Sequence, residues 1–398
     1  MTPEIKQRIE QIRRGEVPEG YKKGKLGVVP EEWEETSFSS LFTSTSDYTD
    51  DLEKYPLYSL TIEDGVTPKT ERYERSHLVK KEDSYKIVRP NDYAYNPMNL
   101  RFGSVARHKG NSPVAVSGYY DIFTTVHKSD LPFMDSFLTC DPMITYYNRV
   151  STGSLVEKQR VHFSQFLEFM LPLPSINERA KIAAILTTQD KVIELKEKRL
   201  AEKQRQKKYL MQQLLTGKKR LPGFSKEWKS VRLRNTLNVC HGQNQRNVEQ
   251  ENGVYPILGT GGEIGRTNDF LYDKPSILIG RKGSINKPMY METPFWTIDT
   301  LFYCKIKSGY HPKFLFFKFQ SINWNKYDES SGVPSLNAST IGSVDIFAPE
   351  FPEQTAIAEV LSAADREIDL LRQDIEQEKQ KKKALMQLLL TGIVRVKT

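Results

Sequence analysis

The segment over residues 174–217 is written a second time, 175 residues later and without a gap, over residues 349–392. Glu178, Ile182, Ala183, Leu186, Asp190, Ile193 and Leu195 return as Glu353, Ile357, Ala358, Leu361, Asp365, Ile368 and Leu370. Further along, Lys207-Lys208, Leu210-Met211-Gln212 and Leu214-Leu215-Thr216-Gly217 return as Lys382-Lys383, Leu385-Met386-Gln387 and Leu389-Leu390-Thr391-Gly392. A long gapless repeat fixes the architecture before any single motif does.

Each copy reads as one long helix. In the first, Leu186, Ile193, Leu200 and Leu214 keep a seven-residue spacing, with Ile182 and Leu210 on the neighbouring row. In the second, Leu361, Ile368, Ile375 and Leu389 do the same, flanked by Ile357, Leu371 and Leu385. Such a seam is buried by a partner helix. Ser175 with Glu178 forms a capping-box pattern in the first copy, and Pro352 stands where a first-turn proline is tolerated in the second. Gly217 and Gly392 suit the left-handed residue that stops a helix. About 40 residues at 1.5 Å each give a rod of roughly 60 Å. Charged outer faces and polar middles exclude the inside of a large globule, so the two rods are expected to pair with each other. Heptads alone leave the direction of that pairing open.

The 398 residues suffice for two or more domains. No apolar run is long enough to cross a membrane, the first residues are polar, and a cytoplasmic protein is expected. Cys140, Cys240 and Cys304 are odd in number and far apart, which points to a reducing compartment and to no zinc site. A net charge of +8 fits a polyanionic partner, as it also fits a mildly basic soluble protein.

In chain order, Ile5, Ile9 and Ile12 mark a short amphipathic helix, followed by a linker with Pro18 and Gly20. Residues 25–33, ending in Pro30-Glu31-Glu32-Trp33, are faintly echoed by residues 219–228, ending in Lys226-Glu227-Trp228. The plan is therefore segment, rod, segment, rod: an N-terminal arm over 1–32, a domain over 33–165, a helix over 166–217, a second domain over 218–340 and a last helix over 341–398. The domains differ in sequence, but both carry short β-like runs between turn residues and read as compact α/β units. These runs lie at 86–89, 114–116 and 143–147 in the first and at 255–258, 276–279 and 300–303 in the second. Arg101-Phe102-Gly103-Ser104-Val105 answers Arg281-Lys282-Gly283-Ser284-Ile285, and Ser151-Thr152-Gly153 answers Ser330-Ser331-Gly332.

Matching rods present one surface twice and suit two copies of one partner, whereas unlike domains present two different reading surfaces. On duplex DNA, rigidly spaced readers address half-sites about 34–36 Å apart or multiples of that. In this layout the chain resembles the specificity subunit of a type I restriction-modification system. The resemblance rests on Pro349, Glu353-Gln354, Ile357-Ala358, Leu361 and Leu385-Met386-Gln387 with Leu389-Leu390-Thr391-Gly392, on their first-copy equivalents, on Gly280-Arg281-Lys282-Gly283-Ser284, and on the Pro-Glu-Glu-Trp entry at 30–33. Arg179 in place of a second Gln354, and the missing Ser cap of the second rod, depart from the repeat.

That resemblance implies an α/β fold with two globular target recognition domains, separated by two long conserved helices packed as an antiparallel coiled coil in a pseudo-two-fold symmetric arrangement. It also implies double-stranded DNA as target, two adenine-N6 methyltransferase subunits and a restriction (motor-nuclease) subunit as partners, and no chemistry by this chain. S-adenosylmethionine, ATP and Mg would be bound by the partners, and no cofactor or metal by this chain.

Candidate DNA contacts divide by type. The glycines of 280–284 would let backbone N–H groups approach a phosphate, with Arg281 and Lys282 adding charge and Arg101 doing so in the other domain; a plain hairpin turn explains the same glycines. Gln243, Asn244, Gln245 and Arg246 carry side chains able to pair with adenine or guanine edges, and Thr260 and Arg266 stand on a nearby loop. In the first domain the counterparts are Ser44, Thr45, Ser46 and Tyr48, then Arg107, His108 and Lys109; for each, a solvated loop is the simpler reading.

Enzymatic motifs fall short. Asn96-Pro97-Met98-Asn99 lacks the second proline and the aromatic of an adenine methyltransferase motif, and Ile264 occupies the third glycine of a dinucleotide fingerprint begun at Gly259. Asp190 with Glu194 and Lys196 imitates a nuclease cluster but lies on the rod. The alternatives are a stand-alone adenine methyltransferase with degenerate motifs, which would bind S-adenosylmethionine alone, and a coiled-coil scaffold that never touches DNA.

Overall fold

The structure, a computed structural model, describes residues 2–45, 47–69, 85–155 and 158–396. Both repeats are continuous helices, Ile176–Leu214 and Phe351–Leu390, of 39 and 40 residues. Each is followed by a glycine at φ +71°, Gly217 and Gly392, a left-handed conformation that ends a helix without a Cβ penalty. The Ser175 hydroxyl accepts from the Glu178 N–H at 3.3 Å, but the Glu178 carboxylate turns elsewhere, so only half of the capping box forms.

The chain divides into two compact units, and the cut passes through both long helices. Unit 1 holds residues 1–195 and 375–398; unit 2 holds residues 196–374. In unit 1, Ile182, Ala183 and Leu186 near the start of the first helix share a core with Leu389 and Leu390 at the end of the second. In unit 2, Leu214 and Leu215 at the end of the first helix share a core with Ile357, Ala358 and Leu361 near the start of the second. The pairing is therefore antiparallel within each unit. Of the seam positions, Leu186, Ile193, Leu214, Leu361, Ile368, Ile375 and Leu389 are buried and Leu200 is half-buried.

Charges beside the seam repeat the register. Lys382 Nζ lies 2.5 Å from Asp190 Oδ1 in unit 1, and the equivalent Lys207 pairs with Asp365 in unit 2. Asp190 is thus a rod ion-pair residue. Unit 2 adds Lys203–Glu367 and Lys196–Asp374, both at 2.8 Å.

The globular parts share one plan. An entry strand pairs antiparallel with the strand that leads into a long helix: Glu34–Ser37 with Met170–Leu173 in unit 1, Lys229–Arg232 with Asp345–Ala348 in unit 2. A short helix follows, Phe38–Leu41 or Leu233–Thr236, then the edge strand of a four-stranded antiparallel sheet. Beside each sheet lies a three-stranded one, all-antiparallel in unit 1 but with the parallel pair Tyr255–Gly259 and Trp296–Thr297 in unit 2. The unit 1 core is an aromatic stack in which Phe38, Phe42, Phe123 and Phe166 meet at centroid distances of 5.0–5.8 Å.

One strand expectation fails. Residues 143–147 lie in the helix Asp141–Val150, where Met143, Tyr146 and Tyr147 face the core at three- and four-residue steps. Pro142 in the first turn and Asp141 at its start favour the helix, and the aromatic run is read correctly only at that period. The N-terminal helix, Pro3–Arg13, docks on the tail after the second long helix: Arg8 Nη1 donates to the Ile393 carbonyl at 2.6 Å and its guanidinium lies over Tyr21. No helix among the described residues is long and apolar enough to cross a membrane.

Candidate nucleic-acid interface

In unit 2, four of the sequence candidates come together around residues 298–300. Gly242 passes so close to Ile298 that a Cβ would lie 2.0 Å from its carbonyl oxygen, which is why glycine stands there. That approach lets the Gln243 N–H donate to the Thr297 carbonyl at 2.8 Å while Trp296 Nε1 donates to the Gln243 carbonyl at 2.9 Å, leaving the Gln243 side chain exposed. Thr260 tops the hairpin between Tyr255–Gly259 and Gly262–Thr267, and its Oγ1 lies 3.7 Å from where a Cβ on Gly283 would be. The Arg281 N–H donates to the Thr300 carbonyl at 2.8 Å, and its guanidinium to the Asp299 carbonyl at 3.3 Å. Lys282 is exposed beside it. Gln243, Thr260, Arg281 and Lys282 thus share one surface that combines amide, hydroxyl and cationic groups.

The glycine loop works differently from a phosphate cradle. The N–H groups of Arg281, Lys282, Gly283 and Ile285 donate to the carbonyls of Thr300, Thr300, Pro334 and Gly283. What the loop offers is side-chain charge on a fixed turn. The match with unit 1 is geometrical as well as sequential: Gly103 and Gly283 have φ +91° and +87°, and Val105 and Ile285 donate back to them at 2.8 and 2.9 Å.

Arg266, Gln245 and Arg246 have contacts of their own. Arg266 donates to Glu263 Oε1 at 2.9 Å and to the Val254 carbonyl at 3.3 Å. The Gln245 carbonyl accepts from Val248 and Glu249, and Glu249 in turn packs over Gly265. Arg246 is exposed on that turn, its N–H capped by Asn244 Oδ1 at 2.9 Å.

In unit 1, Arg107 is committed to the protein. Its guanidinium grips Asp135 through Nε and Nη2 at 2.9 and 2.7 Å and donates to Asn91 Oδ1 at 2.6 Å. Tyr93 OH donates to the same Asp135 at 2.8 Å, and burial, reinforced by that carboxylate, pushes the phenol well above its usual range. Asn91 takes φ +73°, a left-handed turn that aims its amide at Arg107. Lys109, 3.7 Å from Asp135, keeps its ammonium largely in solvent. Tyr93, Arg107, Lys109 and Asp135 line a cleft of about 330 Å³. Sequence reasoning missed Asp135, which stands in an otherwise apolar run and gives no local signal.

Arg101 donates to Gln159 Oε1 at 3.0 Å and lies over Phe102, whose ring is about half exposed. His108 is buried, its Nε2 on the Ser112 carbonyl. Ser44 and Tyr48 are exposed strand residues and the Thr45 N–H donates to the Ile122 carbonyl; Ser46 lies outside the described residues. Asn96 folds its own turn, its Oδ1 accepting from the Met98 N–H at 3.1 Å.

Beside the helix ends, one constellation occurs in both units. In unit 1, Glu178 accepts from Trp33 Nε1 at 3.3 Å and from Arg395 Nε and Nη2 at 2.7 and 3.0 Å. In unit 2, Glu353 accepts from Trp228 Nε1 at 3.2 Å and from Arg220 Nε and Nη2, both at 2.6 Å. The next helical residue is where the copies part. Arg179 reaches the buried Asp130 of its domain at 2.9 Å, whereas Gln354 accepts from the His311 N–H at 2.9 Å and donates to the Pro349 carbonyl.

A family model described as the type I restriction modification DNA specificity domain matches residues 225–380. The chain is 26% identical to the putative type I restriction enzyme MjaX specificity subunit of Methanocaldococcus jannaschii, over 96% of this chain and 98% of that one. It is 27% identical to the type I restriction enzyme MjaVIII specificity subunit of the same organism, over 58% of this chain and 64% of that one. Among solved structures, the type I restriction-modification S subunit from M. genitalium matches with a TM-score of 0.59 at 16% identity, covering 90% of this chain and 96% of that one. A chain from a structure of complex assembly and conformational transition in the type I system matches at 0.57 and 14% identity, covering 92% and 99%. At those identities the two structures share the fold with this chain.

Proposed function

We propose that this chain, which belongs to the specificity subunits of type I restriction-modification systems, recognises an asymmetric bipartite sequence in double-stranded DNA and docks the subunits that act on it. Those partners are two methyltransferase subunits and the restriction (motor-nuclease) subunit, which would carry S-adenosylmethionine, ATP and Mg in the cytoplasm. The chain itself performs no step of the chemistry.

The observation that carries this reading is the contrast between what the units share and what they do not. The clasp Glu178–Trp33–Arg395 is reproduced atom for atom as Glu353–Trp228–Arg220. Leu195 and Leu370, related by the 175-residue offset, are each 65% exposed on their helices, so one apolar foothold is offered twice. The outer surfaces differ: unit 2 gathers Gln243, Thr260, Arg281 and Lys282, while unit 1 ties the half-buried Arg107 to Asp135 and exposes Lys109. Repeated surfaces fit repeated partners and unlike surfaces fit unlike half-sites. The test is to purify the chain with and without its methyltransferase subunits and measure binding to duplexes carrying the methylated motif of the host. Sequence-selective binding that requires this chain supports the reading; affinity for S-adenosylmethionine by the isolated chain would instead favour a methyltransferase.

A further inference from the structure

Each unit holds a cleft where the last turns of one long helix meet the globular part, and the two clefts are built on equivalent residues. In unit 2 the helix contributes Lys208, Met211 and Gln212; in unit 1 it contributes Lys383, Met386 and Gln387, each 175 positions on. Beyond that shared floor they diverge. The unit 2 cleft measures about 990 Å³ and is lined by Lys207, Lys208, Lys218 and Arg372 against one carboxylate, Asp365. The unit 1 cleft measures about 240 Å³, and its single cation, Lys383, lies 3.5 Å from the single carboxylate, Asp141.

The surplus charge in unit 2 is specific. Lys207 is held by Asp365, and Arg372 donates to Asp369 at 3.1 Å. Lys208 and Lys218 are exposed and form no ion pair among the described residues. Two uncompensated ammonium groups on a concave surface favour an anionic occupant. Met211 and Ile368 give the cleft an apolar floor under a polar rim, the make-up of a protein interface rather than of a phosphate track.

We propose that the unit 2 cleft seats an acidic segment of a protein partner, and that its narrower, charge-neutral counterpart in unit 1 does not. This rests on the reading above, in which two copies of the methyltransferase subunit dock on the chain. Its consequence is that the two copies bind unequally, the first and tighter at unit 2 with a marked salt dependence.

The experiment titrates the full-length chain with the purified methyltransferase subunit of the same system, following one-to-one and two-to-one species by native mass spectrometry and calorimetry at several salt concentrations. Lys208→Glu with Lys218→Glu should weaken the tighter association about tenfold or more and flatten its salt dependence. The milder Lys208→Gln with Lys218→Gln should act in the same direction, and Lys383→Glu in unit 1 should leave that step unchanged. Two equal associations insensitive to the lysine substitutions would overturn the proposal while leaving the assembly reading intact. So would substitutions that weaken DNA binding with partner binding preserved, since the cleft would then follow the DNA backbone. Failure of the unaltered chain to bind the subunit at all would overturn the assembly reading itself, and this proposal with it.

Discussion

Arg395, three residues past the glycine that ends the second long helix, closes its guanidinium on Glu178 in the first turn of the other, at 2.7 and 3.0 Å. Glu178 is 1% exposed and also takes the indole N–H of Trp33. The carboxylate therefore holds the entry strand region, the start of one helix and the tail of the other at a single point. Removing the guanidinium leaves a buried charge without its counterion, which is costlier than never having had the pair.

Arg395→Ala should accordingly destabilise unit 1 by about 1–2 kcal/mol, a figure reduced for the part of the guanidinium that solvent reaches. Trp33→Ala, which empties a core site, should cost about 3–5 kcal/mol. Chemical denaturation with hydrogen-exchange readout checks both, and loss of protection should start in unit 1. Equal loss in both units would show that the clasp is not local.

Arg107→Ala should act as a core substitution rather than as a loss of DNA contact. It strands Asp135 and Tyr93, at a cost of about 2–4 kcal/mol. Arg281→Ala should instead leave stability unchanged, weaken binding to all duplexes alike, and reduce the salt slope by about one phosphate contact. Denaturation midpoints and salt-dependent DNA titrations separate the two, and a changed target sequence with Arg281→Ala would contradict a positioning role.

Lys318 is almost wholly buried, its ammonium donating to the Leu215 carbonyl at the end of the first long helix and lying over Trp228 and Phe314. Burial pulls its pKa down from 10.5 to about 8. Between those values the unfolded chain holds a proton that the folded chain has released, so this group makes unit 2 more stable as pH rises through that window. The denaturation midpoint of the unaltered chain should therefore rise relative to that of Lys318→Met as pH goes from 8 to 10.5. A relative midpoint that stays constant or falls over that range would contradict the assignment.

How much of this was legible in the sequence depended on range. The repeat, the helix ends at Gly217 and Gly392 and the seam leucines are local or periodic signals, and each has its structural counterpart. The antiparallel sense is not periodic information: heptads read alike in both directions, and the sense rests on cores assembled from distant parts of the chain, one holding Ile182 and Leu389 and the other Leu214 and Ile357. The strand expectation at 143–147 failed because β-favouring aromatics there serve a helical face. Arg107 and Arg266 looked like free cations, since nothing nearby in sequence announces Asp135 or marks Glu263 as a partner. Arg179 and Gln354 were visible only as a mismatch between copies, and their reason lies in what each domain presents, Asp130 in one and the His311 N–H in the other.

The central claim, two unlike readers joined by repeated helices, is met most directly by single-molecule methylation mapping in cells carrying the chain with its partner subunits. The map is made for the natural chain and for one whose residues 237–340 come from another specificity subunit. The expected result is a single bipartite, asymmetric motif in which the exchange alters one half and leaves the other half untouched. A motif in which both halves change together, or a continuous motif without an unread gap, would contradict it.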